Sequence, residues 1–414
     1  MLRKILYGVL ALVVLIGAFG MSAVGSAQGR ALAQTPTAVT PTPMPAANEA
    51  QAAVSTDSVG PDTFPVGVNP LTGLEVENPE NLTLPPALVS ITNFPISARP
   101  QAGLSYSPFV FEMYIGTGMS RFLALFYGDY PQEAVDNPNA DTNIAGAQIG
   151  PIRSGRLPYE ALRSHYNGFL VMASAYKTVA ENLSGVTNFF GSDSSNINSA
   201  MMNVSQLKEV AENSPKQLPS VEALSGQMFR SAAPEGGKLG DMIWLPFSYQ
   251  NQIIWRYDAE SGAYNRWQDN ADGTTFSIAT DRLNGEELTY ENVVILFAEH
   301  HAYAETLIDI DLNYINRGKA LLFRDGQMYE IFWTTKNEEY ERTTGRVRPI
   351  RFVDADGNPF PLKPGQTWVE IVPTYVTYDE VIDSEVYFDL KTKREPGSGN
   401  WAVRFAAPAI DLDE

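Results

Sequence analysis

The segment FVFEMYIGTGMSRFLALF, Phe109 to Phe126, constrains the fold of this chain more than any other. Two apolar runs flank Gly116 and Gly118, so the chain is expected to fold back as a hairpin about Ile115 to Gly118. In a register symmetric about that centre, Glu112 faces Arg121 and Val110 faces Leu123, and Glu112 and Arg121 share one face of the sheet. A carboxylate amid such apolar residues needs a partner, and a guanidinium offers a bidentate one. Either the two form half of a polar binding site at the sheet end, or they are a cross-strand ion pair that fixes register.

Around this hairpin the chain divides by pattern. Arg3 and Lys4 precede an apolar run from Ile5 to Phe19, with small residues at Gly25 to Ala27 and Ala31 to Ala33, which reads as an export signal over residues 1–33. It is cleaved after Ala33 or retained as a membrane anchor, since Ile5 to Val24 approaches the ~20 residues a spanning helix needs. Residues 34–62 are rich in Thr, Pro and Ala and read as a disordered spacer. Residues 63–232 read as an α/β domain, with strands at Ala87 to Thr92, Phe109 to Tyr114 and Arg121 to Tyr127. Helices are expected at Tyr159 to Tyr166, Tyr176 to Leu183 and Val204 to Ser214.

After the Gly/Ser/Pro-rich break at Ser231 to Gly240, residues 241–375 read as a mostly β domain. Its strands fall at Ile254 to Asp269 (a hairpin about Gly262), Asn292 to Phe297, Lys319 to Phe323, Met328 to Thr334 and Thr367 to Val372. Residues 376–414 form a partly ordered tail in which Trp401 to Phe405 alternates enough to dock as a last strand. The fold class is therefore mixed α+β, an N-terminal α/β domain followed by a mostly β C-terminal domain.

Composition narrows the chemistry. The absence of cysteine excludes disulfides, thiolate catalysis and thiolate metal sites, and with them a lipid-modified cysteine. Removal of residues 1–33 takes away Arg3, Lys4 and Arg30 but no acid, so the net charge of -19 becomes more negative still. Such a surface repels nucleic acid and anionic headgroups. Against this background Arg99, Arg121, Arg153, Arg156 and Arg163 cluster within the α/β region, and guanidinium groups read carboxylates and phosphates through paired donors. The alternative has each arginine paired singly with an acid across the fold.

Searches for catalytic and metal sites return little. No G-x-S-x-G elbow and no phosphate-cradling loop is present. Asp354 to Asn358 lacks the position-12 glutamate of a calcium loop and reads as a turn. The histidines are His165, His300 and His301. The adjacent pair would point to opposite faces of a strand, so neither a metal site nor a cofactor is expected. Trp244, Trp255, Trp267, Trp333, Trp368 and Trp401 are core residues or, alternatively, sugar-stacking platforms. Paired acids of the kind glycosidases use cannot be assigned from the sequence, so no catalytic residue is named.

Four segments carry a resemblance: NPLTGLEV (Asn69 to Val76), ITNFPISARPQAGLS (Ile91 to Ser105), FEMYIGTGMSRFLALF (Phe111 to Phe126) and IGPIRSGR (Ile149 to Arg156), joined by the YD-x-x-x-G-x-Y-x-R pattern of Tyr257 to Arg266. In order and spacing they resemble the YerB-like family of exported bacterial cell-envelope proteins, a domain of unknown function. The resemblance implies an α/β region followed by a β-rich one. It also exposes departures, because where the family carries histidines this chain reads Val171 to Ala175 and Asn196 to Ala200. The expectation is an exported, extracellular or envelope protein, leaning to a non-catalytic module. It would bind an envelope polymer or another exported protein through a cleft lined by Arg99, Glu112, Arg121, Arg153 and Arg156. The alternative is a hydrolase or lyase acting on an envelope glycan. Nucleic acid is not an expected partner, a membrane tether through the N-terminal helix is open, and oligomeric state is not fixed.

Overall fold

The computed structural model describes residues 58–131, 147–214, 221–336, 339–345, 347–383 and 393–410. The expected export segment, most of the spacer and part of the tail lie outside the described residues. The described N-terminal region contributes β1 (Ala87–Thr92), β2 (Phe109–Gly116), β3 (Met119–Phe126), α1 (Tyr159–His165), β4 (Phe169–Met172), β5 (Val186–Asn188) and α2 (Val204–Asn213). The helix expected at Tyr176 to Leu183 is a single turn, Lys177–Ala180. The C-terminal region is mostly strand: β6 (Met242–Ser248), β7 (Asn251–Asp258), β8 (Ala263–Asp269), β9 (Phe276–Ile278), β10 (Asn292–Ala304), β11 (Leu307–Asp311), β12 (Gly318–Arg324), β13 (Gln327–Thr334), β14 (Thr367–Pro373), β15 (Thr377–Glu380) and β16 (Asn400–Arg404). The class is mixed α/β followed by mostly β.

Strands from both regions share one sheet. Among the described residues a twelve-stranded sheet runs Lys238–Leu239, β13, β12, β10, β14, β2, β3, β1, β4, β5, with β11 hairpinned onto β10 and Arg351–Val353 beside β13. Parallel pairing of β14 with β2, Thr367 opposite Phe109, joins the two sequence regions. β2 and β14 are buried along their whole length, and they read as near-continuous apolar runs because both sheet faces are covered. A seven-stranded sheet, β9-β8-β7-β6-β16-β15 with Thr289–Tyr290 beside β8, packs over one of those faces.

The period-two alternation of each strand divides its side chains between two cores. Val89, Ile91, Val110, Phe122, Val293, Ile295 and Trp368 meet Ile243, Leu245, Trp255, Tyr264 and Val403 between the sheets. On the opposite face Phe109, Phe111, Leu123, Leu125, Val369 and Ile371 lie under Tyr159, Leu162 and Tyr166 of α1, with Leu71, Leu224 and Phe229. Trp244, Trp255, Trp333, Trp368 and Trp401 are buried and build core, while Trp267 is half-buried against Met242, Trp244 and Ile254.

One polar feature spans the inter-sheet core. Arg266 on β8 donates through Nη2 to Glu112 Oε2 on β2 at 2.7 Å, with the side chains 1% and 0% exposed. Its Nη1 donates to Gln268 Oε1 at 2.5 Å, and the guanidinium carbon lies 4.8 Å from the Trp368 ring centroid and 5.2 Å from that of Phe122. Glu112 Oε1 accepts from Ser120 Oγ at 2.5 Å and Asn93 Nδ2 at 3.4 Å. Gln268 Nε2 in turn donates to Asn93 Oδ1 at 2.7 Å, closing a loop of bonds between the two sheets. A buried charge costs several kcal/mol unless paired and hydrogen-bonded, and here each charge has the other plus neutral donors and acceptors.

Removing one partner strands the other. Arg266→Ala is expected to destabilise the protein by about 3–5 kcal/mol in urea denaturation. Glu112→Leu combined with Arg266→Met costs far less than the two single losses summed. Additive losses would show that the two side chains do not act as a pair.

Candidate anion-binding site

Glu112 and Arg121 do not face each other. Tyr114 pairs with Ser120 but Gly116 pairs with Met119, so Ile115 is an extra residue at the hairpin tip. That bulge moves the register by one: Glu112 sits opposite Phe122 and Met113 opposite Arg121. A slip of one residue exchanges sheet faces. Glu112 therefore lies in the inter-sheet core with Arg266, and Arg121 lies on the α1 side.

Arg99 also belongs to the inter-sheet side. Its Nε donates to Asn93 O and Oδ1, each at 3.2 Å, and its Nη1 to Asp269 O at 2.7 Å. A cleft of about 200 Å³ lined by Arg99, Gln101, Gln268, Asn270 and Ile278 reaches this end of the network. Arg163 is taken up by Glu160 at 2.5 Å, one turn earlier on α1.

The remaining arginines converge. β1, β4 and β5 are mutually parallel and end on one side, and β3, antiparallel to β1, begins there, placing Arg121 opposite Thr92. The segment from Gly150 to Arg156 threads between the ends of β1 and β4. Thr92 N donates to Pro151 O, Arg153 N to Ser90 O, Ala173 N to Arg153 O and Gly155 N to Ser174 O, at 2.7–3.0 Å. These backbone bonds bring Arg153 and Arg156 to Arg121. Carboxyl ends of parallel strands are where open α/β sheets place their ligands.

What the guanidinium groups bond to is neutral. Arg121 Nη1 donates to Ser154 O at 3.1 Å and Arg156 Nη1 to Gly155 O at 2.9 Å. Arg153 donates to Ile197 O and, at 3.0 Å, to Asn198 Oδ1. Among the described residues no carboxylate pairs with Arg121, Arg153 or Arg156. The Nε groups of Arg121 and Arg156 are buried without a hydrogen-bond partner. Burial, reinforced by Arg156 and Arg153 and opposed by the Tyr159 phenol, pulls the Arg121 pKa down to about 9. Burial also lowers Arg153 and Arg156. Three cations at close quarters, with no carboxylate partner among the described residues, have the chemistry that pairs with a carboxylate or phosphate.

The other polar centre is closed. Glu370 on β14 stands opposite Glu112 on β2, fully buried, and accepts from Trp255 Nε1 at 3.1 Å. Burial first, then the Glu112 charge, pushes its pKa well above the carboxylate range, against the opposing pull of Arg266. Both causes favour the protonated, neutral form of Glu370. The sequence signalled it as it signalled Glu112, by a lone acid in an apolar strand. Arg266, the partner the sequence reading missed, closes the Tyr257 to Arg266 pattern.

The histidines have separate surroundings. His301 on β10 stands opposite Asp309 of β11, His300 Nδ1 lies 2.9 Å from Ala298 O, and His165 lies between the carbonyl oxygens of Arg348 and Leu312. Among the described residues no three His, Asp or Glu are grouped to hold a metal ion.

Fold and site together define a protein built on two large packed sheets, the larger of which carries, at the carboxyl ends of its parallel strands, an arginine cluster with no carboxylate partner among the described residues. The chain belongs to the family described as protein of unknown function DUF3048: its N-terminal domain matches residues 71–219 and its C-terminal domain residues 243–369. It is 27% identical over 330 residues to the protein called "Putative lipoprotein YerB" of Bacillus subtilis (strain 168), spanning 76% of this chain and 88% of that one. The crystal structure of the YerB protein from Bacillus subtilis superposes with a TM-score of 0.55 at 26% identity, covering 74% of this chain and 96% of that chain.

Arg121→Met removes a buried cation that has no acid partner, and Ser154 O keeps its bond from Ser90 Oγ. In anion-free buffer the variant is expected to melt no lower than wild type, a change of about 0–2 kcal/mol in its favour. Inorganic phosphate should raise the wild-type Tm more than that of the variant. A large loss of stability in Arg121→Met would mean that the guanidinium is counter-charged after all.

Glu370 gives a pH signature. Its folded pKa is raised, so its stabilising contribution is full below its ordinary pKa near 4.5 and is lost as pH climbs toward the folded value. Wild type should lose about 1.4 kcal/mol per pH unit relative to Glu370→Gln across that window, and match it in slope at pH 4. Parallel stability profiles from pH 4 to 8 would contradict a proton held on Glu370.

Proposed function

We propose that this is an exported cell-envelope protein that holds an anionic envelope polymer, or an acidic partner protein, on Arg121, Arg153 and Arg156, without catalysing its breakdown. The observation that carries the reading is the arginine cluster. In a chain of net charge -19, three guanidinium groups lie together with no acid among the described residues to neutralise them. The export reading is supported by Arg3, Lys4 and the apolar run from Ile5 to Phe19, and by the lipoprotein name of the Bacillus subtilis relative. This chain has no cysteine to carry a lipid, so attachment, where it occurs, falls to the N-terminal apolar segment.

Arg99 and Glu112 serve the inter-sheet network instead of this site. Glu112 and Glu370 are neighbouring acids, yet both are sealed between the sheets, and neither has the access to a polymer that glycan hydrolysis demands. Binding at the cluster is therefore favoured over cleavage.

A pull-down of the purified protein on insoluble envelope polymer, wild type against Arg153→Ala/Arg156→Ala, tests this. Retention that falls at least tenfold in the variant, with no soluble fragments released, is expected. Equal retention would remove the arginines from the interaction, and fragment release would make the protein an enzyme.

A further inference from the structure

The loops that frame the arginine cluster also expose large apolar side chains. Ile96 follows β1, Tyr176 follows β4, and Phe190 and Ile197 follow β5, with 45%, 74%, 66% and 53% of their surfaces in solvent. Hydrogen bonds tie each loop to the site. Asn198 Nδ2 donates to Ser97 Oγ at 3.0 Å, Arg153 donates to Ile197 O and Asn198 Oδ1, Gly155 N donates to Ser174 O, and Phe189 N donates to Met172 O at 2.8 Å. Single exposed apolar residues are ordinary, but these four stand on the three loops tied by hydrogen bonds to one charge cluster.

Resting on the anion-binding reading, we infer that the ligand is an acidic glycan: its carboxylate or phosphate sits on Arg121, Arg153 and Arg156, and the faces of adjoining sugar rings lie on Tyr176 and Phe190. A pyranose ring presents a face of C–H groups and a rim of hydroxyls. Tyr and Phe offer flat, rigid surfaces that bury such a face at low entropic cost. The intervening loop, Gly191 to Ser199, is rich in hydroxyl and amide side chains that suit the rim.

Charge density separates this ligand from other polyanions. The protein's net charge of -19 opposes a densely charged strand, and nucleic acid carries a charge every ~1.7 Å of duplex. A glycan with one acid per sugar unit or fewer delivers a single anion to the arginines and fills the spaces between charges with rings. A bare polyphosphate satisfies the arginines and leaves the aromatic side chains unused.

The test is a calorimetric titration of the full chain with a uronate hexasaccharide, a hexameric sugar phosphate, the carboxyl-reduced neutral hexasaccharide and inorganic tripolyphosphate. Wild type is compared with Tyr176→Ala/Phe190→Ala and Arg153→Ala/Arg156→Ala, both first checked for an unchanged Tm. At least one acidic oligosaccharide binds wild type, the neutral one does not, and the aromatic variant binds the acidic one at least tenfold more weakly while its response to tripolyphosphate is unchanged. Wild-type affinity in the aromatic variant, with binding lost in the arginine variant, would overturn the glycan inference and leave the anion site standing. Unchanged affinity in the arginine variant would overturn both. Failure of wild type to bind either acidic oligosaccharide would overturn the inference whatever tripolyphosphate does.

Discussion

The bond between Arg266 and Glu112 is the constraint around which the two sheets are organised. It joins a strand of the smaller sheet to the middle of the larger one, in a core otherwise made of Trp255, Trp368, Phe122 and Tyr290. An apolar core alone would hold the sheets together without fixing their alignment. A charge that can be satisfied only by one partner at one distance fixes it, because any sliding leaves Glu112 unpaired in a medium where that is costly. Glu370 sharpens the requirement. Two acids stand side by side on β14 and β2 and one guanidinium faces them, an arrangement that favours the neutral form of Glu370.

The opposite face of the same sheet obeys the reverse rule. There Arg121, Arg153 and Arg156 are held by neutral carbonyl and amide oxygens, through a segment whose backbone is inserted between β1 and β4. Position comes from the main chain and charge is left uncompensated. The Arg266–Glu112 pair thus ties the inter-sheet core together, while the arginines at the strand end have no carboxylate partner among the described residues. The arrangement is locally unfavourable, since burial and the neighbouring cations both lower the Arg121 pKa.

Much of this was legible in the sequence, and the failures have identifiable causes. β1, β2, β3, β12, β13 and β14 announce themselves as apolar runs, and the arginine motifs lie close enough in sequence for their convergence to be suspected. The hairpin register was not legible. Ile115 is accommodated as a bulge beside Gly116, whose missing side chain lets the Glu305 carbonyl approach from the β10–β11 turn. A contact from so far along the chain leaves no local trace. That register puts Glu112 and Arg121 on opposite faces of the sheet. The pairing of β2 with β14, which brings Glu370 to Glu112, is likewise a long-range choice that strand propensity does not encode.

Arg121 and Arg156 each keep a buried Nε–H without an acceptor. An NMR titration of ¹⁵N-labelled protein with inorganic phosphate, following the Nε–Hε resonances, observes them directly. Saturable downfield proton shifts at Arg121 and Arg156, absent at Arg266, are predicted. Resonances at Arg121 and Arg156 that stay fixed while phosphate is raised to high concentration would contradict the existence of an anion receptor at the carboxyl ends of β1 and β4.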